Sequence, residues 1–472
     1  MNKEYKQKLA VFGHEYDYDY LSPTSAEEIL FEAFEKVKSS SEPDFECVLD
    51  VLSDVSKAWA DPEYHIRKKA KELLAEVTSF SLEMIESSLG IVSGKCVPDL
   101  LCERIICELG SIDFLRNNDN RERENDDYDS IEDDDCVDKS YIKAKPKGIV
   151  LHINSGNKLY FDIIGSWVEG IITRNVNILK IDSVFMPFFL LFLESIKEFD
   201  PSGIIWTNQA LLCWDDYDDR VNDIFFNSDL TILFQGKKDL LDHYKTAYKL
   251  GSKLIDYSMK YSFSIIEGKN LKPDIPSDII NGLAMDICNW NQKTPYSPHV
   301  VYIIDKDLKT SHQLIEALFD EMISVCEELP CGKLSFDEKV EIRKIRETAR
   351  MMQVKGEGRL VCPEDFSFTL ILDYNPAFKL SCLNRTLFIK RVSNLENLME
   401  LLLPLSGDIH SVSLFLSDET KDVCVKELLK LGVKHFSPIG KADTALNVIP
   451  RNGLFLIREL SDFIYFDDYS DY

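Results

Sequence analysis

The sequence predicts an α/β protein made of two doubly wound αβ domains with a helical segment in front. Three observations carry this. Between residues 141 and 250, short apolar, β-branched runs alternate with amphipathic segments of helical length. That is the rhythm of strands joined by crossover helices in a parallel sheet. The rhythm restarts near Asp274 and continues to about residue 431. At 472 residues and 45% apolar side chains, the chain can fill two or three cores.

Taken in order, residues 24–40 and 44–60 place apolar side chains at helical spacing, with Ser25 and Ser41 near the expected caps, and 64–90 continue in that style. Glu108-Leu109-Gly110 closes the helical part, Gly110 being suited to a left-handed cap. Residues 117–138 hold eleven acids against two arginines and offer almost nothing to bury. They are expected to form a solvated insertion, with docking to a basic partner as the other reading. A strand at 141–145 and the turn Pro146-Lys147-Gly148 lead into a strand at 149–153, which ends at Asn154-Ser155-Gly156-Asn157. A helix over 161–173 follows. Further strands are expected at 176–181, 203–206 and 229–234, with helices at 187–198 and from 238 to about 250. Doubly wound sheets bind ligands at the carboxyl ends of their strands. The turns at Asn157, Lys180 and Gly236 lie there. No G-x-G-x-x-G follows the first strand, so the common dinucleotide fingerprint is absent. The second block reads as helix 279–288, a polar loop, strand 300–304, helices 311–329 and 336–352, strands 368–372, 386–392 and 411–416, and helix 418–431, with an apolar, aromatic segment at 454–466.

Composition narrows the functional classes. A formal net charge of −27 argues against general binding to nucleic acid or anionic membranes. No apolar run reaches the length of a membrane span. The first twenty residues carry acids where a signal peptide has its apolar core, which points to a cytoplasmic protein. Twelve cysteines occur without a C-x-x-C pair or a Cys/His cluster, so reduced, mostly buried thiols are expected and a metal site is not.

The chemistry is expected at residues 286–302, where a polar run rich in turn residues enters an apolar strand. Asn291-Gln292 followed by Ser297-Pro298 resembles the nucleophile loop of the LuxC-type acyl-CoA reductases, in the aldehyde dehydrogenase superfamily. Other pieces share the order of that family: W-x(4)-Y-x(2)-R at Trp59, Tyr64 and Arg67, the 146–148 turn, His152 to Asn157, Ile178-Leu179-Lys180 with Ser183, Phe234-x-Gly236, and Asn452-Gly453 with Arg458. The resemblance implies an aldehyde dehydrogenase-like fold. It divides the chain into 1–116, a helical part of the cofactor-type domain; 117–145, an acidic insertion and oligomerisation β-hairpin arm; 146–273, the cofactor-type domain; 274–450, the catalytic-type domain; and 451–472, a C-terminal strand and acidic tail.

In that family a cysteine thiolate attacks an acyl thioester, and hydride from a nicotinamide cofactor releases an aldehyde. The resemblance places the nucleophile at Pro295, which cannot form a thioester. Asn157 matches the oxyanion donor, or else caps the following helix. Lys180 matches the lysine that reaches the cofactor's adenosine ribose, or else is a surface charge. Ser183 stands where NAD-using relatives often carry a Glu, which favours NADPH, although Asp182 next to it acts the other way. Gly236 would let a helix N-terminus approach the pyrophosphate. Tyr257-Ser258-Met259 replaces a Gly-Pro run before Lys260. Cys288, seven residues before Pro295, is the nearest alternative thiol, or else core packing. His299 shares a strand face with Ser297, and His152 either lines a pocket or sits in the core.

Two functional readings stay open. One is a reductase homologue that has lost covalent catalysis and serves as a binding or scaffold subunit. The other is an active NAD(P)H-dependent reductase of acyl thioesters or aldehydes, using Cys288 or direct hydride transfer. By resemblance the partners are an acyl thioester or acyl-carrying protein, an acyl-protein synthetase or active paralogue, and further copies in a homo- or hetero-oligomer. The acidic insertion is expected to alter that assembly through charge repulsion.

Overall fold

The computed structural model describes residues 8–17, 21–39, 43–116, 141–156, 159–250, 253–442 and 450–466. The acidic run at 117–138 and Asn157 lie outside them. The chain opens with the hairpin β1 (Lys8–Val11) and β2 (His14–Asp17). Five helices follow: α1 (Pro23–Ser39), α2 (Phe45–Ala60), α3 (His65–Val77), α4 (Leu82–Gly94) and α5 (Pro98–Leu109). Gly110 ends α5 at φ +96°. Trp59 donates to Ser195 Oγ at 2.9 Å, Tyr64 to Glu198 at 2.9 Å, and Arg67 pairs with Glu86. The three sequence-motif residues therefore hold helices together.

The first sheet is built from β4 to β8. After β3 (Tyr141–Pro146) come β4 (Ile149–Ser155), α6 (Tyr160–Ile172), β5 (Val176–Lys180), α7 (Met186–Phe199), β6 (Gln209–Leu212), α8 (Asp219–Phe226), β7 (Thr231–Gly236), α9 (Lys238–Ala247) and β8 (Lys253–Asp256). Strand order among the described residues is β2-β1-β6-β5-β4-β7-β8, with β4 to β8 parallel. The order reverses at β4/β7, which opens a crevice at their carboxyl ends. The strand expected at 203–206 forms six residues later. Asp200 accepts from the N–H groups of Ile205 and Trp206, turning that apolar run into a loop and a short 3-10 turn.

The second sheet starts upstream of residue 274, where the sequence placed a boundary. Its first strand in the chain is β9 (Tyr261–Glu267), which lies between β10 and β14. Then come α10 (Ser277–Cys288), β10 (Pro298–Ile304), α11 (Lys309–Glu328), α12 (Phe336–Val354), β11 (Gly358–Val361), β12 (Thr369–Asp373), β13 (Thr386–Val392), α13 (Leu395–Leu402), β14 (Ile409–Phe415), α14 (Asp418–Lys430) and β15 (His435–Pro438). The order is β11-β12-β13-β10-β9-β14-β15, parallel except for β11. After α15 (Leu456–Glu459), β16 (Ser461–Phe466) pairs antiparallel with β3, and the two form a separate arm. Among the described residues, no helix is long and apolar enough to cross a membrane.

One helix sits at the centre of the first core. Every residue of α6 except Asp162 is buried, as an all-round apolar helix must be. It nevertheless carries Glu169, 2% exposed at its side chain. A buried charge persists only with partners, and those partners lie at the crevice.

Candidate functional site

The carboxyl ends of β4 and β7 face the amino ends of β9, β10 and β14. Between them lies a cavity of ≈ 320 Å³, lined by residues 159, 161–162, 235–236, 257–259, 293–296 and 451–452, with contributions from the end of α4, from α5 and from His410. The volume is at the lower end of the range for small-molecule sites.

Asn291 and Gln292 explain how residues 293–296 reach it. Trp290, Asn291 and Gln292 all adopt left-handed backbone, at φ 52°, 52° and 64°. Each such non-glycine residue costs on the order of 1–2 kcal/mol. Side-chain hydrogen bonds hold them there. Asn291 donates to the Cys331 carbonyl at 2.6 Å and accepts from Arg385 Nε at 3.0 Å. Gln292 donates to the carbonyls of Pro298 and Thr386 at 2.6 and 2.9 Å and accepts from the Thr386 N–H at 2.9 Å. Trp290 packs against Phe161, ring centroids 4.6 Å apart, and docks the loop on the first domain. The pair therefore positions the loop and does not line the cavity itself.

Pro295 lines the cavity and its carbonyl accepts from Ser262 Oγ. Tyr257, Ser258 and Met259 lie across from it, fixed by Tyr257 N–H to the Phe234 carbonyl and Met259 N–H to the Gly236 carbonyl. Among the described residues, no thiol lines the cavity. Cys288 is fully buried among α10 and α11, its sulfur 3.7 Å from Met322 Sδ. Its neighbour Cys326 and burial raise its pKa well above that of an ordinary thiol. Cys326 itself is lowered to about 7 by Cys288 and by Arg385, whose Nη1 donates to it at 3.1 Å.

The structure does not join His299 to Ser297. His299 Nδ1 bonds Ser381 Oγ at 2.9 Å, while Ser297 Oγ bonds Thr294 Oγ1 at 2.9 Å. Burial lowers His299 to about 4. His152 sits in the core on Asn177 Oδ1 at 3.0 Å. His410 does line the cavity, edge-on to Tyr296 at 4.6 Å, and burial with His435 and Lys260 nearby lowers it to about 3.

The cavity's other wall carries charges that sequence reading missed. Arg104 Nε bonds Glu108 at 2.8 Å, and its Nη1 pairs with Glu169. Arg451 Nη2 stands 3.4 Å from Glu169. Lys95 and Asp162 line the same wall. Burial, Arg451 and Arg104 lower Lys95 to about 8, although Asp162 and Glu169 oppose them. Burial raises Asp162, against the pull of Arg451 and Lys95. These residues come from the turn that ends α4, from α5 and α6, and from the segment before α15. The one signal in the sequence was a pair of acids, seven apart, inside the otherwise apolar 160–172.

The carboxyl ends of β4, β5 and β7 in the first sheet hold the residues expected to meet a dinucleotide. Lys180 is 2% exposed, its Nζ 3.0 Å from Ser155 Oγ and paired with Asp216. Its charge is thus neutralised inside the protein. Trp214 lies over it, 5.3 Å to the ring centroid. Asp182 accepts the Gly156 N–H at 3.2 Å, and Ser183 is exposed. Gly236 ends β7 where a Cβ would stand 2.6 Å from the Ser155 carbonyl oxygen, so close backbone approach is sufficient reason for this glycine.

Comparisons with known proteins agree over most of the chain. The family model described as acyl-CoA reductase (LuxC) matches residues 40–463. A long-chain acyl-protein thioester reductase from Aliivibrio fischeri is 23% identical over 432 residues, covering 88% of this chain and 81% of that protein. A protein of the same description from Photorhabdus luminescens is 24% identical over 363 residues, with 75% and 68% covered. Among solved structures, aldehyde dehydrogenase 21 from Physcomitrella patens superposes with a TM-score of 0.70 at 10% identity, covering 98% of this chain and 99% of that one. Glyceraldehyde-3-phosphate dehydrogenase GapN from Methanocaldococcus jannaschii, complexed with NADP, gives 0.66 at 15% identity, covering 95% of each. The fold is that of the aldehyde dehydrogenases.

Proposed function

The chain belongs to the acyl-CoA reductase (LuxC) family, and we propose that it is a member without covalent acyl chemistry that keeps a ligand cavity and acts as a binding or scaffold subunit. One observation carries this reading: among the described residues, the cavity at the meeting of the two sheets is lined by Pro295 and by no thiol. A proline ring has no nucleophile and no N–H to offer an oxyanion. Cys288 stands in the second core beside Met322, its pKa raised by Cys326 and by burial, which makes it a poor thiolate. Losing a covalent nucleophile costs several powers of ten, each worth ~1.4 kcal/mol of barrier.

The proposed partners follow from the relatives' descriptions as acyl-protein thioester reductases. They are an acyl thioester or acyl-carrying protein, presented by an acyl-protein synthetase or held by an active paralogue. The arm of β3 and β16 exposes Ile142, Phe463 and Tyr465, which suits assembly with further copies.

The carboxyl end of β5 suits a nicotinamide dinucleotide without a 2′-phosphate. NADPH, expected from Ser183, would bring that phosphate toward Asp182, with Lys180 and Asp216 already neutralising each other. The ribose hydroxyls of NADH can instead donate to a carboxylate. Such a cofactor would supply hydride; the residues here orient its ribose.

The test is turnover. With tetradecanoyl-CoA, oxidation of NADH or NADPH by the full-length protein should stay at the rate without protein. Acyl-CoA-dependent oxidation that is lost in Cys288→Ser would establish the alternative, an active reductase with a relocated thiol.

A further inference from the structure

The wall facing Pro295 is unsuited to a long apolar chain. Lys95, Arg104, Asp162 and Arg451 line a cavity that also touches Ile91, Leu159 and Phe161. Stripping water from an ion that gains no new partner costs several times what burying a methylene gains. A hydrocarbon filling this space would desolvate several charges at once, and the charges win.

The cations are also arranged for a ligand. Lys95 and Arg451 share one seat: a Cβ on Gly165 would stand 2.8 Å from Arg451 Nη2 and 3.4 Å from Lys95 Cδ and Cε. Two like charges so placed repel unless an anion joins them. Glu169 serves Arg451 at 3.4 Å and also pairs with Arg104. Lys95 makes no ion pair within 4 Å among the described residues, and neither does Asp162. Arg104, 6% exposed at its side chain, leaves Nη2 without a hydrogen-bond partner. A buried guanidinium N–H without an acceptor is costly. Donors without acceptors thus come from α4 and α5, beside the guanidinium of Arg451.

We propose that this cavity binds the oxyanion end, carboxylate or phosphate, of a small molecule or short acyl group, held by Lys95, Arg104 and Arg451, with Asp162 as the competing internal anion. This rests on the reading above that the cavity beside Pro295 is the retained ligand site. It replaces the long acyl chain of the relatives' descriptions with a short anionic group.

Calorimetric titration of the full-length protein with succinate, inorganic phosphate and tetradecanoate tests it, with no acyl-CoA or nucleotide present. Succinate or phosphate should bind, the tighter of the two identifying the group, and tetradecanoate should bind at least tenfold more weakly. Lys95→Gln should weaken oxyanion binding about tenfold. Asp162→Asn should strengthen it, because the competing carboxylate is gone. A merely structural cluster would not move the two variants in opposite directions. Raising the pH from 7 to 9 removes the charge of Lys95, whose surroundings are Arg451, Arg104, Asp162 and Glu169, so affinity should fall about tenfold in the wild type and much less in Lys95→Gln. Failure of both oxyanions to bind, tetradecanoate binding as tightly as they do, or the two variants shifting together would overturn the proposal. Because no thioester is present, these failures leave the absence of covalent chemistry standing.

Discussion

Glu169→Ala should lower the unfolding free energy by about 3–5 kcal/mol, the range for stripping one partner from a buried ion pair. The side chains of Glu169 and Arg104 are 2% and 6% exposed, so water cannot replace the lost carboxylate. Glu108 still serves Arg104 at 2.8 Å, but Arg451 would lose the one carboxylate within 4 Å of it among the described residues. Urea denaturation measures the loss, and adding Arg451→Met to Glu169→Ala should recover part of it. A loss below ~1 kcal/mol, the value of an exposed pair, would show that the cluster is solvated and that the cavity's charges are not held as described.

NADH should bind at least ten times more tightly than NADPH. Two unit charges 4 Å apart near a protein surface interact with about 4 kcal/mol, and a 2′-phosphate at the end of β5 would meet the carboxylate of Asp182, which has no cation paired with it among the described residues, whereas Asp216 is neutralised by Lys180. Lys180 offers it little, since Asp216 and Ser155 already take its ammonium. Trp214, stacked over Lys180, reports binding through its fluorescence. The double change Asp182→Asn, Asp216→Asn should narrow the gap between the two nucleotides. Equal or tighter NADPH binding by the wild type would return the preference to the one suggested by Ser183.

Much of the fold was legible because its signals are local. Runs such as those of β4, β7 and β13 are apolar, β-branched and bounded by turn residues, and the structure has strands there. Where the pattern misled, a tertiary partner decided the outcome. The apolar run at 203–206 yields to Asp200, whose carboxylate collects the backbone N–H groups of Ile205 and Trp206. The hairpin of β1 and β2 went unseen because His14–Asp17 is exposed along its whole length and has no buried face to betray a strand. β9 follows β8 after four residues, 257–260, yet opens a different sheet; no local signal marks that change.

The site divides in the same way. The loop 293–296 was legible from its turn residues, and the role of Asn291 and Gln292 became clear once their left-handed backbone and their bonds to the strand at 386 were seen. The charged wall was not legible. Lys95, Arg104, Asp162 and Arg451 are ordinary polar residues in four separate segments, and only packing around α6 brings them together. Lys180 was legible as a strand-end lysine, but its neutralisation by Asp216 was not, because 36 residues separate the two.

No covalent step is expected at position 295, and none is expected from Cys288. Intact-mass spectrometry after incubation with tetradecanoyl-CoA reads this directly, at the level of the bond itself. The account predicts the unmodified mass in the wild type and in Cys288→Ser alike. A tetradecanoyl adduct on the wild type that disappears in Cys288→Ser would contradict it.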